Sequence, residues 1–219
     1  NLSMRKQRVL MGFMGTVLDG GVNAKRWERW RSSVNVHQSN GSDIDVGEVL
    51  HDSEHERQAL MVRADIHSVN PAAAINLHEM NIDNPWDFSE VYGKLFDWAQ
   101  RYPFDTENHE YWVHITTGTH VVQICLFLLV EARVIPGVLL QTSPPKDKRG
   151  VSEQDKGRFE VIDLDLARYD DIAARLSLAQ TDAQRFLKSG IATRNQRFNH
   201  MIAAIEQVAI SSPSPLLLH

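Results

Sequence analysis

A short polar turn carries the side chains best suited to chemistry in this chain. The stretch from Thr116 to His120 follows an aromatic and β-branched run, Tyr111 to Ile115, and precedes an apolar run from Val121. This order predicts a strand, a tight turn at Gly118 and a helix capped by Thr119. Unpaired N–H groups at a helix N-terminus attract anions, and threonine hydroxyls can donate to phosphate or ribose oxygens. The turn therefore fits an anion site, although it could also do no more than cap its own helix.

Two further polar positions follow strand-like runs. The segment from Arg8 to Met14 is apolar enough to predict a buried first strand, which ends at Gly15 and Thr16. Ser143 likewise follows the run from Val138 to Gln141, which predicts another strand. The carboxyl ends of parallel strands lie on one edge of a sheet, where open α/β sheets bind their ligands. We therefore expect Gly15, Thr16 and Ser143 near the threonine-rich turn.

The stretch from Lys25 to Arg31 is a dense basic and aromatic cluster. Its cations and indoles could neutralise a nucleotide and stack on it. The alternative is a short amphipathic segment that packs its two tryptophans on the sheet, because tryptophan is mostly a packing residue. Both interpretations stay open, and Arg26 and Trp27 are the candidate ligand contacts in this cluster.

Familiar catalytic motifs are absent from the sequence. It has no Walker loop, no Cys-x-x-Cys, no His-Glu-x-x-His and no legible pairing of a serine or cysteine nucleophile with a base. His120 could meet a phosphate or act as a general acid or base. The histidines and acids between His51 and Glu56 lack a second ligand set, which favours a helix start over a metal site. We expect no metal and no cofactor.

Composition narrows the class of protein. The 219 residues carry a net charge of −5, which argues against a general nucleic-acid-binding surface but leaves room for a local phosphate site. Cys125 is the single cysteine and lies in an apolar run, which indicates a buried thiol in a reducing cytoplasm. The most apolar run, Leu126 to Val130, is too short for a membrane span, so we expect a cytoplasmic protein.

Strand-like and helix-like runs alternate along most of the chain. Helices are predicted after Ser53, after a cap at Asn84 with Pro85 in the first turn, and after Val121. The predicted strands, besides those of a hairpin, cover 8–14, 73–80, 111–115, 138–141 and 158–166. This alternation predicts an α/β domain with a mostly parallel sheet.

Two short runs, Val34 to Gln38 and Ile44 to Leu50, flank the dipeptide Asn40-Gly41. Asn-Gly between two strand-like runs is typical of a β-hairpin. The sequence therefore predicts an antiparallel addition to the sheet. Further along, helical runs over 167–188 and 195–210 precede Leu216 to Leu218, which reads as the start of a strand. We expect this chain to be a piece of a longer protein.

A set of strings spread over nearly the whole chain carries a family resemblance. By residue number they cover 12–19, 26–27, 30–31, 50–52, 84–88, 114–120, 143–145, 162–166, 186–195 and 198–199. Together they resemble the N-terminal part of the RtcR family, sigma-54-dependent activators of operons that encode an RNA ligase and an RNA 3′-terminal phosphate cyclase.

The resemblance implies a domain organisation. Residues 4–166 would form a CARF domain, a Rossmann-like ligand sensor that dimerises and holds its ligand across the two-fold axis. Residues 167–190 would form a linker helix, and residues 191–219 the truncated start of an AAA+ ATPase domain. ATP hydrolysis and DNA binding are then expected of the longer parent protein and not of this fragment, which we expect to be no enzyme.

The resemblance also implies a ligand and partners. RNA with a 2′,3′-cyclic phosphate end, such as cleaved tRNA, would bind, relieve autoinhibition of the ATPase and switch on RNA-repair genes. The expected partners are a second copy of the chain and, in the parent, the AAA+ domain, sigma-54 RNA polymerase and promoter DNA, with no membrane. With the candidates named above, the expected ligand-binding residues are Met14, Gly15, Thr16, Val17, Arg26, Trp27, Thr116, Thr117, Gly118, Thr119, His120 and Ser143.

Two alternatives remain. Related CARF domains bind cyclic oligoadenylates, and such a domain can also cleave the ring, here with His120 or a nearby threonine or lysine assisting in-line attack by a 2′-hydroxyl. The domain could instead be a structural dimerisation module whose pocket has lost its ligand.

Overall fold

The structure is a computed structural model, and it describes residues 4–147 and 150–162. Within this part the chain alternates between strands and helices, as the sequence predicts. The strands are β1 (Gln7–Phe13), β2 (Val46–His51), β3 (Ala74–Glu79), β4 (His109–His114), β5 (Val138–Ser143) and β6 (Arg158–Ile162). The α-helices are α1 (Ser32–Asn35), α2 (Glu56–Val69), α3 (Phe88–Arg101) and α4 (His120–Glu131).

The strands form one sheet in the order β3-β2-β1-β4-β5-β6. All neighbouring pairs are parallel except β5 and β6, which run antiparallel at the edge. This is the strand order of a doubly wound Rossmann sheet, whose switch point lies between β1 and β4. The predicted Rossmann-like α/β fold with a mostly parallel sheet is confirmed. The predicted C-terminal helices, linker helix and ATPase start lie outside the described residues.

The described residues fall into two compact units. The first unit contains residues 4–81, 103–118, 136–147 and 150–162, and it holds the whole sheet with α1 and α2. The second unit contains residues 82–102 and 119–135, and it holds α3 and α4.

One face of the sheet in the first unit is covered by helices. Ala59, Val62 and Ile66 recur along one side of α2 and are buried against Val49 of β2 and Met14. Spacings of three and four residues place such side chains on one helix face. A second buried cluster lies further along the same face and contains Leu10, Val36, Ile44, Trp112 and Leu140.

The predicted hairpin around Asn40-Gly41 is wrong. Ser32–Asn35 is α-helical and Val36–Gln38 is a 3₁₀ turn, so no strand precedes β2 in this segment. The Asn35 side chain accepts a hydrogen bond from the Arg31 backbone N–H at 2.6 Å, and this local bond favours a helical turn. Gly41 does adopt a positive φ of 79°, but its turn joins a helical segment to β2.

In the second unit, α3 packs against α4. Phe88, Val91, Leu95 and Trp98 bury one face of α3, as the spacing predicts, and α4 is buried almost throughout. The predicted cap at Asn84 is wrong, because the structure begins α3 at Phe88 and places Asp87 at the N-cap. No helix in the described ranges combines the length and apolar character needed to cross a membrane.

Candidate functional site

The candidate site lies where β1 and β4 end, at the switch point of the sheet. After β1 the chain continues into Met14–Gly20, which we call the β1 loop, and after β4 into Ile115–Gly118, which we call the β4 turn. The two strands are hydrogen-bonded neighbours, so both segments leave the sheet side by side. Crevices at such switch points are where Rossmann-like sheets bind ligands.

A buried carboxylate shapes the β1 loop. Oδ2 of Asp19 accepts hydrogen bonds from the Gly15 N–H at 2.8 Å and the Ser33 hydroxyl at 2.6 Å, and Oδ1 accepts from the Ser33 N–H at 2.8 Å. Burial raises the pKa of Asp19, while the bonds from Ser33 and Gly15 and the charge of Arg31 oppose that rise. The loop is therefore folded around Asp19, which sequence reasoning missed.

The β1 loop exposes only part of the predicted set. Met14 and Gly15 are buried, whereas Thr16 and Val17 face solvent and Val17 is 76% exposed. The backbone carbonyls of the two exposed residues are held by long side chains. Gln58 donates to Thr16 O at 3.0 Å, and Arg29 donates through Nη2 to Val17 O at 3.1 Å.

The β4 turn uses its hydroxyls inside the fold. The Thr117 hydroxyl donates a short hydrogen bond to Phe13 O and so ties the turn to the end of β1. The Thr116 hydroxyl accepts from the Thr142 N–H at 2.8 Å and donates to Thr142 O at 3.5 Å. Gly118 is exposed and has a φ of 86°, which explains why the tight turn needs glycine.

Thr119 and His120 belong to the second unit. Thr119 is the N-cap of α4: its side chain accepts from the Val122 N–H at 3.2 Å, and its hydroxyl donates to Pro85 O at 2.8 Å. The predicted helix cap is thus confirmed. His120 is the first residue of α4 and is half-buried.

The basic and aromatic cluster mainly packs against α2 and its ion pairs. Arg26 binds Asp65 of α2 through two nitrogens, at 2.8 and 3.0 Å, and Arg31 binds the same carboxylate at 2.7 Å. Burial opposes ionisation of Asp65, but the hydrogen bonds from both arginines outweigh it and lower the pKa of that carboxyl. Trp27 packs on the apolar cluster beneath α2, and the Arg31 guanidinium lies 4.8 Å from its ring.

Sequence reasoning chose Arg26 and Trp27 as ligand contacts and had no means of finding Asp65. This acid lies 39 residues further along the chain than Arg26, and nothing in its local sequence marks it as the partner of two arginines. The structure therefore gives both residues a packing role, whatever contacts they make with a ligand.

Ser143 lies at the end of β5, close to Trp30. A Cβ on Gly157 would stand 2.6 Å from both Ser143 O and the indole nitrogen of Trp30, so these three residues meet tightly. Ser143 is half-buried. This contact brings the end of the basic and aromatic cluster to the same edge of the sheet as the β1 loop.

A buried polar triangle lies behind the β4 turn. His114 Nε2 is 2.9 Å from the Ser32 hydroxyl and 2.8 Å from the Thr142 hydroxyl. Burial lowers the pKa of His114 to about 4, with a smaller contribution from His37, so the ring is neutral at pH 7. All three residues are enclosed, so they position the ends of β4 and β5 without touching solvent.

Within residues 4–147 and 150–162, no group of three or more histidines, cysteines or acids could hold a metal.

The sequence matches a known protein family over most of its length. A family model described as RtcR, regulator of RNA terminal phosphate cyclase, matches residues 6–190. The chain belongs to the RtcR family. The transcriptional regulatory protein RtcR of Escherichia coli K12 is 48% identical over 219 residues, which are 99% of this chain and 40% of that protein. The chain thus spans well under half the length of this RtcR relative and is a regulatory domain of that family.

A solved structure shares the fold of this RtcR-family chain. Csm6 of Enterococcus italicus, bound to cyclic hexa-2′-fluoro-hexa-dAMP, superposes with a TM-score of 0.53 and 16% sequence identity. The match covers 93% of this chain and 55% of the Csm6 chain. At this identity the likeness concerns the fold of the RtcR-family domain.

Proposed function

We propose that this chain is the ligand-sensing domain of a sigma-54-dependent transcriptional activator. In this proposal it binds RNA ends that carry a 2′,3′-cyclic phosphate, as in cleaved tRNA. The observation that carries the proposal is that the β1 loop and the β4 turn, each exposed in part, are joined at the switch point by the bond from Thr117 to Phe13 O. Thr16, Val17 and Gly118 are exposed there, next to half-buried Thr116.

The chemistry of this edge suits a small anionic end more than a long duplex. The chain carries a net charge of −5, so a polyanion would meet overall repulsion. A single phosphate needs only a few donors at one place. An RNA end offers one cyclic phosphate together with ribose and base groups, and it can reach a local site without running along the surface.

Ligand binding would act on the parent protein by shifting an equilibrium. The bound ligand must favour one arrangement of a homodimer over another, and that arrangement would release the attached AAA+ domain. The parent would then engage sigma-54 RNA polymerase at promoter DNA and switch on RNA-repair genes. In this view the parent works in the cytoplasm, residues 4–166 sense the ligand, residues 167–190 link, and residues 191–219 begin the ATPase. The fragment itself catalyses nothing.

The test is binding of the purified chain to short RNAs that differ only at the 3′ end: 2′,3′-cyclic phosphate, 3′-phosphate or hydroxyl. We expect tight binding only of the cyclic-phosphate RNA.

Val17→Glu places a negative charge on an exposed residue of the β1 loop and should weaken binding about 10-fold or more by repulsion. Val138→Glu is the matched control, because Val138 is 41% exposed and begins β5 at the opposite edge. Equal binding of all three RNAs, or equal effects of both substitutions, would contradict the proposal.

A second candidate ligand is a cyclic oligoadenylate, favoured by the fold shared with a Csm6 structure that holds a cyclic adenylate analogue. The same assay should therefore include cyclic tetra- and hexa-adenylate. Preference for a ring would replace the RNA-end proposal. Linear products that disappear in His120→Ala would further identify the domain as a ring nuclease.

A further inference from the structure

The candidate site needs a donor that the two threonines of the β4 turn do not supply. The Thr117 hydroxyl proton is committed to Phe13 O, and the Thr116 hydroxyl is engaged with both the N–H and the carbonyl of Thr142. A bound phosphate would have to break these bonds to use either hydroxyl proton. Charged donors form stronger bonds to phosphate than hydroxyls do. The first place to look for such a donor is the basic cluster beside this edge.

Two of the arginines in that cluster are neutralised within the fold. Arg26 and Arg31 share the Asp65 carboxylate, and Arg31 is only 1% exposed. Moving either guanidinium to a ligand would leave the buried Asp65 carboxylate with only one of its two arginine partners. Such a loss is costly, since a buried charge needs close and complete pairing to offset its desolvation.

Arg29 differs from both. Its side chain is exposed, and its Nη2 donates to Val17 O, in the β1 loop itself, at 3.1 Å. A guanidinium carries five N–H donors in a planar fork, so one bond to a carbonyl leaves several for an anion. The acceptor that Arg29 holds is a neutral carbonyl, so engaging a phosphate with its remaining donors breaks no buried ion pair.

We propose that Arg29 is a phosphate-binding residue of this site. The bond to Val17 O holds the guanidinium over the β1 loop, and the fork then engages a non-bridging phosphate oxygen of a ribonucleotide ligand. Trp30, the next residue, packs against Gly157 near Ser143 at the end of β5, which anchors the segment that carries Arg29. This inference rests on the proposed function and identifies the side chain that would bind the ligand phosphate.

The experiment compares three variants of the 219-residue chain. Arg29→Gln removes the charge and the fork, Arg29→Lys keeps only the charge, and Arg63→Gln is the control. Arg63 is an exposed arginine on α2 that lines a separate cleft with Leu60, His67 and Ile75, so its loss changes the net charge equally. The ligands are the cyclic-phosphate RNA and cyclic tetra- and hexa-adenylate, each titrated over a range of salt concentrations.

We expect Arg29→Gln to weaken binding about 10-fold and Arg29→Lys to weaken it less. The slope of log affinity against log salt should fall by about 0.7 in Arg29→Gln, as for one phosphate contact with single-stranded RNA. That slope separates a phosphate contact from a mere loosening of the β1 loop, which would weaken binding at every salt concentration alike. Arg63→Gln should bind like the unaltered chain.

Several outcomes overturn the inference. Binding by the unaltered chain that Arg29→Gln leaves unchanged would exclude Arg29 while sparing the proposed function. Weaker binding with an unchanged salt slope would assign Arg29 to support of the β1 loop. Failure of the unaltered chain to bind any of the ligands would remove the proposed function and this inference together. The ligand whose affinity and slope respond to Arg29→Gln identifies the source of the phosphate.

Discussion

At the scale of single residues, Asp19 decides the shape of the candidate site. Its two oxygens accept from two backbone N–H groups and one hydroxyl. An amide of the same shape has only one oxygen, so its NH₂ group must face either the Gly15 or the Ser33 backbone N–H. One of those donors then loses its partner inside a buried region, which costs about 1–3 kcal/mol.

Asp19→Asn is therefore expected to lower the free energy of unfolding by roughly 1–3 kcal/mol. It should also speed amide hydrogen exchange at Gly15 or at Ser33, whichever of the two N–H groups loses its acceptor. Asp43→Asn provides the control: Asp43 is exposed at the amino-terminal edge of the sheet, and asparagine tolerates its φ of 42°. Urea denaturation and exchange measured by NMR check both expectations. Unchanged exchange at both Gly15 and Ser33 in the Asp19 variant would contradict the role given to this carboxylate.

The buried histidines make a prediction about pH. Burial lowers the pKa of both His37 and His114 to about 4, below the 6.5 of an exposed ring. The unfolded chain therefore takes up protons as pH falls from 6.5 towards 4, while the folded chain resists them. Their stabilising effect is complete above pH 6.5 and declines through that window, by on the order of 1–2 kcal/mol per histidine between pH 7 and 5.

The measurement is urea denaturation of the unaltered chain and of His114→Gln at pH 7 and pH 5. The variant is expected to be less stable at pH 7, because the bonds to Ser32 and Thr142 are altered, but to lose less stability on acidification. The same loss in both proteins would show that the His114 ring does not carry this pH dependence.

At the scale of elements, the start of α3 shows how local signals compete. Asn84-Pro85 is a good helix opening, yet Asp87 caps α3 by accepting from the Glu90 N–H at 3.0 Å. The Glu90 carboxylate in turn accepts from the N–H groups of Asp83 and Asn84, and Asn84 accepts from Trp86 in the preceding turn. The sequence thus offers two possible helix caps, Asn84 and Asp87. The helix begins after Asp87, which places Phe88 in the core, because burial of this ring contributes more free energy than a cap does.

Asp87→Ala is accordingly expected to cost about 1 kcal/mol of stability, and Asn84→Ala only a few tenths. Thermal or urea denaturation of the two variants side by side makes the comparison. The reverse order of effects would place the helix start at Asn84.

The segment Ser32–Gln38 is the element on which sequence reasoning failed. Val34 and Val36 alternate with polar residues and read as a strand, but each packs into a different cluster of the same sheet face. Ser32 and Ser33 form hydrogen bonds outside the segment: Ser32 bonds to His114, and Ser33 bonds to Asp19. These partners lie far along the chain or in a loop, so no pattern within the segment could reveal them.

At the scale of the whole molecule, the proposed homodimer makes a prediction about stoichiometry. If ligand lies across a two-fold axis, each ligand is shared by two chains. Calorimetric titration with the ligand that binds is expected to saturate at about one ligand for two chains, and sedimentation should report a dimer. Saturation at one ligand per chain, with a monomer in sedimentation, would contradict the shared site.

The sequence by itself determined what depends on near neighbours. The alternation of strands and helices, the turn at Gly118 and the Thr119 cap follow from short-range propensities and periodicity, and they led to the correct sheet class. The family strings extended that reading to the RtcR family, which the matched residues 6–190 confirm.

Only the tertiary structure decided how the polar side chains are used. A charged or hydroxyl group bonds to whichever partner the fold brings within about 3 Å, and that partner can lie anywhere in the sequence. The Thr117 hydroxyl thus donates to Phe13 O, 104 residues earlier in the sequence, and the Asp65 carboxylate pairs with Arg26 and Arg31. Arg29 differs from these arginines, because its side chain stays exposed and donates to Val17 O of the β1 loop, beside the proposed ligand site.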